Sequence, residues 1–508
     1  MTQVHLGHIY HVAGRPTVSE AAAALVSIPD GALIIDDRGR IIFCGERTAI
    51  RASHEAATVF DHRPGFLLPG FVDTHIHFPQ TYAADSYGGG QLLQWLNLCI
   101  YPSESRLADP EFAHRAAVEF CNRRIAAGTT AAMVFGSAFP DAQDALFTQT
   151  QRSGLRIVSG RGIQTVGPET ARPLLTSESD AIRLTREEIE KWHAADTGNV
   201  DTALLHVAIV PRFSLAVTTE TLKNLGELYD SVRERGVYVQ SHLNENNRPR
   251  SGELDATKQA YQVKSYLDTY DGKFLPGSAV GGKSLLGRRT ILAHSVHCQD
   301  VELVRMAETG TSIAHCPVSQ LFLGSGTMPW KRTVASGVNI AAGTDFGAGD
   351  EWLIPRVLGD AFKVHISEPG KESVSLHPAE MLFTGTLAGA RALDMESRFG
   401  NFDVGNEADF VVVDPSGTPA LQAALSHGVR SSDVDLARDQ TLFTLMMGIR
   451  ESSIAEVYVQ GRQVTRRVLC DTCHQWSEVQ RCLCERWNST SATRKSDGRR
   501  ISRSSATS

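Results

Sequence analysis

The chain has 508 residues, of which 42% are hydrophobic and 21% charged, with a formal net charge of −7. That balance suits a globular protein with a large core and room for more than one domain, and it gives no footing for nucleic-acid binding. No run of about 18 apolar residues occurs, so no membrane span is expected.

Met1 to His8 lacks the basic start and apolar run of a signal peptide. Cys44, Cys99, Cys121, Cys298 and Cys316 are scattered through apolar segments and read as reduced thiols, so a cytoplasmic location is expected. Residues 1–68 read as short strands broken by turns. Ala32 to Gly45 predicts a hairpin turning near Asp37-Arg38-Gly39. His5, His8 and His11 recur every third residue in a strand-like segment, do not share one face, and read as surface residues.

The apolar run after Leu68 ends in His75-Ile76-His77. Side chains two apart on a strand point the same way, so both imidazoles can aim at one metal ion. Pro110 to Ala127 follows with Phe112, Ala116, Phe120 and Ile125 near helical spacing, and Gly128-Thr129-Thr130 leads into a strand over 131–135. Thr221 to Arg235 carries Leu222, Leu225, Leu228 and Val232 at helical spacing; Gly236 stops it, and a strand over 237–242 ends in His242, with Glu245 just beyond. Asn246 to Gly287 is long, polar and glycine-containing, and reads as a large loop or a small excursion after that strand; long loops at the active face of a barrel often carry substrate contacts or lids.

The scheme continues with strand-like Thr290–His294, a helix over Val301–Thr309, Gly310 as its stop, Thr311–Cys316, and Val338–Asp345. Repeated helix, glycine and strand predicts βαβ units and a parallel sheet, and in a β/α barrel the reacting residues stand at the carboxyl ends of the strands on one face. Strand-like Asp409–Asp414 and Val457–Val464 return to the style of the N-terminus, so the two chain ends are expected to meet in one small β-domain. The tail from Thr465 holds nine Lys or Arg against four Asp or Glu among Ser and Thr, and disorder is expected there. Its Cys470-Asp471-Thr472-Cys473-His474 has the spacing of a haem-attachment site, and with Cys482 and Cys484 could form a zinc knuckle. Neither is expected, because haem attachment needs export and the flanks are short. Asn488-Ser489-Thr490 is expected to be silent as a glycosylation site.

Three neutral imidazoles and a carboxylate suit Zn²⁺ or a similar first-row ion. His75, His77, His242 and Asp345 are the expected ligands. A metal with an open position lowers the pKa of its bound water to about 7; His294 would hydrogen-bond that water. Glu245 is the expected general acid/base. His315 stays open between this set and a purely structural role.

These motifs resemble the amidohydrolase superfamily and, within it, the guanine deaminases. The resemblance spans roughly residues 1–464. It is carried by Pro-Gly-Phe-Val-Asp-Thr-His-Ile-His-Phe-Pro-Gln at 69–80, Gln-Leu-Leu-Gln-Trp-Leu at 91–96 and Val-Pro-Arg-Phe-Ser-Leu at 210–215, then by Ser-His-Leu-Asn-Glu-Asn at 241–246, Leu-Ala-His at 292–294, Ala-His-Cys-Pro at 314–317 and Gly-Thr-Asp at 343–345. It implies an α/β fold, a (β/α)8 barrel over 69–397, with a small β-sandwich built from 1–68 and 398–464 ahead of the tail, 465–508. It also implies a homodimer, one zinc per subunit, a small-molecule purine substrate, and hydrolysis of guanine to xanthine and ammonia. Gln80, Arg212 and Phe213 would bind the purine, alongside His242, Glu245 and Asp345, with Glu245, His294 and Asp345 catalytic. Arg212 can donate to a ring carbonyl, Phe213 can pack on the flat base, and Gln80 offers both a donor and an acceptor.

Segment 317–320 is Pro-Val-Ser-Gln where those relatives are Asn-rich, which bears on substrate preference. Another aminated or chlorinated heterocycle (a different purine, a pterin, a triazine) is the alternative substrate. A non-catalytic scaffold is disfavoured because the ligand set is complete. The Pro-Cys-x-x-Cys segment of the other deaminase architecture is absent.

Overall fold

The computed structural model describes residues 2–50, 57–84, 86–87, 92–247, 252–271, 282–469 and 476–478. Residues 1–464 form one compact unit and 465–508 a second. The chain opens with β1 (Gln3–Val12), β2 (Leu25–Ile35), β3 (Ile41–Glu46) and β4 (Thr58–Pro69). The barrel follows with β5 (Phe71–His77), β6 (Thr129–Phe135), β7 (Arg156–Gly160), β8 (Gly162–Ile163), β9 (Leu205–Pro211), β10 (Tyr238–Leu243), β11 (Thr290–His294), β12 (Ser312–His315) and β13 (Ile340–Ala342). The chain returns with β14 (Phe410–Val413), β15 (Ile454–Val459) and β16 (Arg462–Val464).

The two chain ends share a seven-stranded sheet in the order β16-β15-β14-β4-β1-β2-β3. Neighbours are antiparallel except β1 and β4, which run parallel. Alternation along β2 sends Leu33 and Ile35 to a cluster with Ile9 and Phe410, and Ala32 and Ile34 to another with Val4 and Leu6. Both faces of the middle strand are therefore covered. This corrects the surface reading of the N-terminal histidines: His5 and His11 are buried, and His8 is half-buried. His5 stacks on Phe60 at 4.8 Å between ring centroids. Burial drives His5 down to about 3 and His11 to about 4, so both are neutral parts of the core.

The barrel ladder runs β13-β12-β11-β10-β9-β7-β6-β5, with β8 added beside β9. Paired strands are parallel throughout. Every residue of β5, β6, β9 and β11 is buried, as expected of strands covered on both faces. The ring closes between β5 and β13, where the Thr74 hydroxyl donates to the Ala342 carbonyl at 2.8 Å. Helices Thr219–Val232 and Asp300–Thr309 lie where the spacing predicts them, and Gly236 (φ 89°) and Gly310 (φ 76°) take the left-handed turn that delivers the chain to β10 and β12. Below the barrel, buried Arg156 of β7 donates to Glu407 at 2.7 Å and Asp409 at 3.0 Å, tying the ring to the segment that starts β14.

Of the two readings of the stretch after β10, the described residues form the small excursion and not a plain loop. It forms a helix, Glu253–Tyr261, and a short turn, Leu267–Thr269. Tyr261, Tyr266 and Tyr270 are buried there, and the Tyr270 hydroxyl donates to the carbonyl of His242 at 3.0 Å. Scattered tyrosines carry no helical period, so the pattern hides a segment that packs against the end of β10. Residues 248–251 and 272–281 lie outside the described residues.

In the second unit, two short antiparallel strands, β17 (Arg467–Leu469) and β18 (Trp476–Glu478), replace the structureless start expected of the tail. The Cys470–His474 motif, Cys482, Cys484 and the glycosylation motif fall outside the described residues. Among the described residues no helix is long and apolar enough to cross a membrane.

Candidate metal centre and substrate pocket

The carboxyl ends of β5 and β10 and the turn after β13 bring His75, His77, His242 and Asp345 together, buried, with one ligand atom from each lying within 4.8 Å of the others. The His77 Nε2 sits 3.2 Å from His75 Nε2 and 3.3 Å from His242 Nε2. Asp345 Oδ1 lies 3.3 Å from His75 Nε2 and 3.1 Å from His77 Nε2.

Which imidazole nitrogen faces inward follows from what holds the other. His75 Nδ1 lies 3.3 Å from Gln240 Oε1, and His242 Nδ1 lies 2.5 Å from the Arg212 carbonyl. Both partners accept, so Nδ1 carries the proton and the Nε2 lone pairs converge. Lone pairs packed this closely repel unless a cation takes them. The donor set therefore fits a metal ion of the nitrogen-and-oxygen-binding kind. Burial, then the neighbouring imidazoles, hold His242 well below the ordinary range, which keeps it neutral for ligation. For Asp345, burial opposes ionisation, but the neighbouring imidazoles, His75 and His77 foremost, outweigh it and hold the carboxyl well below the ordinary range.

An outer carboxylate, Asp73, accepts from the Thr344 hydroxyl at 2.6 Å, the Thr344 N–H at 3.0 Å and the His75 N–H at 3.2 Å. It fastens the Gly-Thr-Asp turn to β5. Two site residues adopt left-handed backbone, His294 at φ 74° and Asp345 at φ 48°. Non-glycine residues rarely do so, and such strain gathers at functional sites.

His294 Nε2 lies 3.4 Å from Glu245 Oε2 and 3.8 Å from Asp345 Oδ2. Among the described residues, neither imidazole nitrogen of His294 has a hydrogen-bond partner, and Glu245 Oε1 has none. Burial lowers His294 to about 3 and raises Glu245 well above the ordinary carboxyl range, with the charges of Asp345 and Glu253 adding to the latter. The arrangement sets an imidazole lowered by burial and a carboxyl raised by it beside Asp345: parts able to take up and hand on protons.

A pocket opens on this cluster, with His77, His242, Glu245 and Asp345 at its floor. Leu92, Trp95, Leu96 and Phe213 give it apolar walls, and Gln80 and Arg212 give it polar ones. Phe213, predicted as a packing surface, is buried and borders the cavity, and so do Gln80 and Arg212. His315 does not join them. Its Nε2 lies 3.0 Å from His365 Nε2, and its imidazole stacks on His365 and leans on Trp330. Two carboxylates, one behind the pocket wall and one on it, escaped the sequence reading. Glu104 accepts from Gln80 and Arg212, and Glu253 borders the cavity while accepting from the Glu245 N–H at 3.3 Å and from the Tyr266 hydroxyl. No local signal marks either one: Glu104 sits in a single helical turn, and Glu253 begins a helix inside what reads as a loop.

A model of the amidohydrolase family matches residues 66–464. The chain belongs to the amidohydrolase family. A probable guanine deaminase of Deinococcus radiodurans is 35% identical over 452 residues, covering 87% of this chain and 94% of that protein. The guanine deaminase of Escherichia coli is 33% identical over 450 residues, covering 88% and 94%. The solved structure of the Escherichia coli guanine deaminase superposes with a TM-score of 0.78 at 31% identity, covering 92% of this chain and 100% of that one.

Proposed function

We propose that this protein hydrolyses guanine to xanthine and ammonia. The observation that carries the reading is the meeting, in one buried cavity, of the His75/His77/His242/Asp345 cluster and Glu245 with Arg212, Gln80 and Phe213. The likeness to guanine deaminases over almost nine-tenths of the chain supports it.

One Zn²⁺ per chain, held by His75, His77, His242 and Asp345, is part of the proposal. When bound, it supplies Lewis acidity and makes water nucleophilic near neutral pH. The residues then divide the work. Phe213 and the apolar walls hold the flat ring and exclude bulk water. Arg212 donates to the ring carbonyl, and Gln80 meets the ring edge. His294 and Asp345 orient the water that adds to the amine-bearing carbon, and Asp345 takes its proton. Glu245 gives its proton to the ring nitrogen and recovers one from the added hydroxyl as the carbonyl forms, while Asp345 hands its proton to the amine as the carbon–nitrogen bond breaks. The carbon gains oxygen from water, and nitrogen departs as ammonia. A homodimer in the cytoplasm belongs to the same reading, on the family resemblance and on the free thiols of Cys44, Cys99, Cys121, Cys298 and Cys316 among the described residues.

The test is ammonia release from guanine, beside adenine, 8-oxoguanine, cytosine and a pterin, with metal per chain measured on the same sample. Preference for guanine at about one zinc per chain is expected. Turnover of another heterocycle with none of guanine would keep the hydrolytic chemistry and overturn the substrate.

A further inference from the structure

Gln80 and Arg212 are polar walls of the pocket, yet neither settles by itself what the pocket reads. An amide presents a donor or an acceptor according to which end faces the ligand, and a guanidinium on a long stem can swing. Glu104 decides both. Its side chain is 5% exposed. Its Oε1 accepts from Gln80 Nε2 at 2.9 Å and from Arg212 Nη2 at 3.0 Å, and its Oε2 accepts from Arg212 Nη1. A carboxylate has only acceptors to offer, so it claims the amino end of Gln80 and leaves the carbonyl oxygen to face elsewhere. Gln80 Oε1 accordingly has no hydrogen-bond partner among the described residues although it is buried. The room it occupies exists because the neighbour is glycine: a Cβ at Gly347 would stand 1.9 Å from that oxygen. The two-point pairing also clamps the guanidinium, which lies 5.2 Å from the Tyr101 ring centroid.

We propose that Glu104 is a positioning residue that sets purine selectivity. It holds Gln80 as an acceptor and Arg212 as a fixed donor. The pocket then complements a ring edge offering a carbonyl and an N–H, the lactam of guanine, and opposes one offering an amine and a bare ring nitrogen. An unpaired buried acceptor costs free energy until a ligand N–H meets it, which turns the orphaned Oε1 into discrimination. This inference rests on the reading of guanine as substrate.

The test compares kcat and KM for guanine and 2,6-diaminopurine, which keeps the scissile amine but replaces the lactam. Glu104→Gln brings a donor to Gln80 and frees its amide to turn over. KM for guanine is expected to rise about tenfold or more, with kcat changing less than about threefold, and the guanine-to-diaminopurine ratio of kcat/KM to fall about tenfold or more. Glu104→Asp keeps the carboxylate and is expected to recover most of that ratio. A ratio within about threefold of the parent in Glu104→Gln, or equal losses on both substrates, would overturn the inference. Should Glu104→Gln fail to fold, Gln80→Met removes the amide that Glu104 orients and must lower the ratio likewise; an unchanged ratio there overturns it as well. A crystal structure of Glu104→Gln supplies a readout independent of turnover. Gln80 and Arg212 found unmoved would refute the positioning role, whereas a parent enzyme inert toward guanine refutes only the substrate and leaves this structural arm to decide.

Discussion

The backbone N–H of Asp345 donates to the carbonyl of His75 at 2.8 Å. The first and last barrel strands are therefore stitched together at two of the candidate metal ligands, and the barrel seam and the donor cluster are one piece of structure. Asp73 reinforces the stitch by holding Thr344 and the His75 N–H. Ligand geometry is thus inherited from barrel closure rather than from flexible loops.

Metal removal should be felt in the fold as well as in the reaction. Dialysis against a chelator is expected to abolish ammonia release and to lower the thermal midpoint by several degrees, because binding to the folded state alone adds stability of about 3–4 kcal/mol at saturating ion. Calorimetry before and after zinc is returned checks this; an unchanged midpoint would mean that the cluster holds no ion in the parent protein.

Glu245→Gln keeps the shape of the side chain and removes its proton. We expect kcat to fall about 10²–10⁴-fold with metal content unchanged. Burial first, then the charges of Asp345 and Glu253, raise this carboxyl above its ordinary range. It acts as an acid while protonated, so activity of the parent should decline as pH rises through the elevated value, and that alkaline limb should vanish in the variant. A variant within tenfold of the parent would remove Glu245 from the mechanism.

Gly347→Ala places a methyl group 1.9 Å from Gln80 Oε1 at a backbone φ of 121°, where L-residues are strained. The prediction is a KM for guanine raised about tenfold or more with metal content retained. Steady-state kinetics with elemental analysis decides it, and an unaltered KM would show that Gln80 does not meet the substrate.

Glu188 gives a pH test away from the chemistry. Burial pushes it up to about 8, partly offset by Arg161, whose backbone N–H it accepts at 3.1 Å. Its folded-state pKa lies above the unfolded value of 4.5. Between those values the unfolded chain has lost the proton and the folded chain retains it, so stability falls as pH rises across that window. Glu188→Gln should therefore flatten the pH dependence of denaturant unfolding and stabilise the protein at pH 8 by on the order of 3 kcal/mol, with little effect near pH 4.5. Parallel unfolding curves for parent and variant at all pH values would contradict this.

Much of the candidate site is legible along the chain because each part ends a strand. His75 and His77 share a face by the two-residue period, and His242, His294 and Asp345 each close a strand-like run, the one before His242 announced by a helix and a glycine stop. The histidines of β1 misled because spacing tells which face a side chain takes, not whether that face is covered; here both faces are. His315 satisfies the same strand-end pattern as His294, yet its imidazole turns to His365 from the helix Ile354–Ile366.

By itself, the sequence determined the alternation of strand and helix, the candidate ligand residues and the family to which the chain belongs, since period, glycine stops and residue type are local properties. Only the tertiary structure decided which carboxylates share the pocket. Glu104 reaches Arg212 across 108 residues of chain, and Arg156 reaches Asp409 across 253. A contact between residues so far apart leaves no period in the sequence; it exists because burying an unpaired charge costs so much that the fold must bring each one a partner.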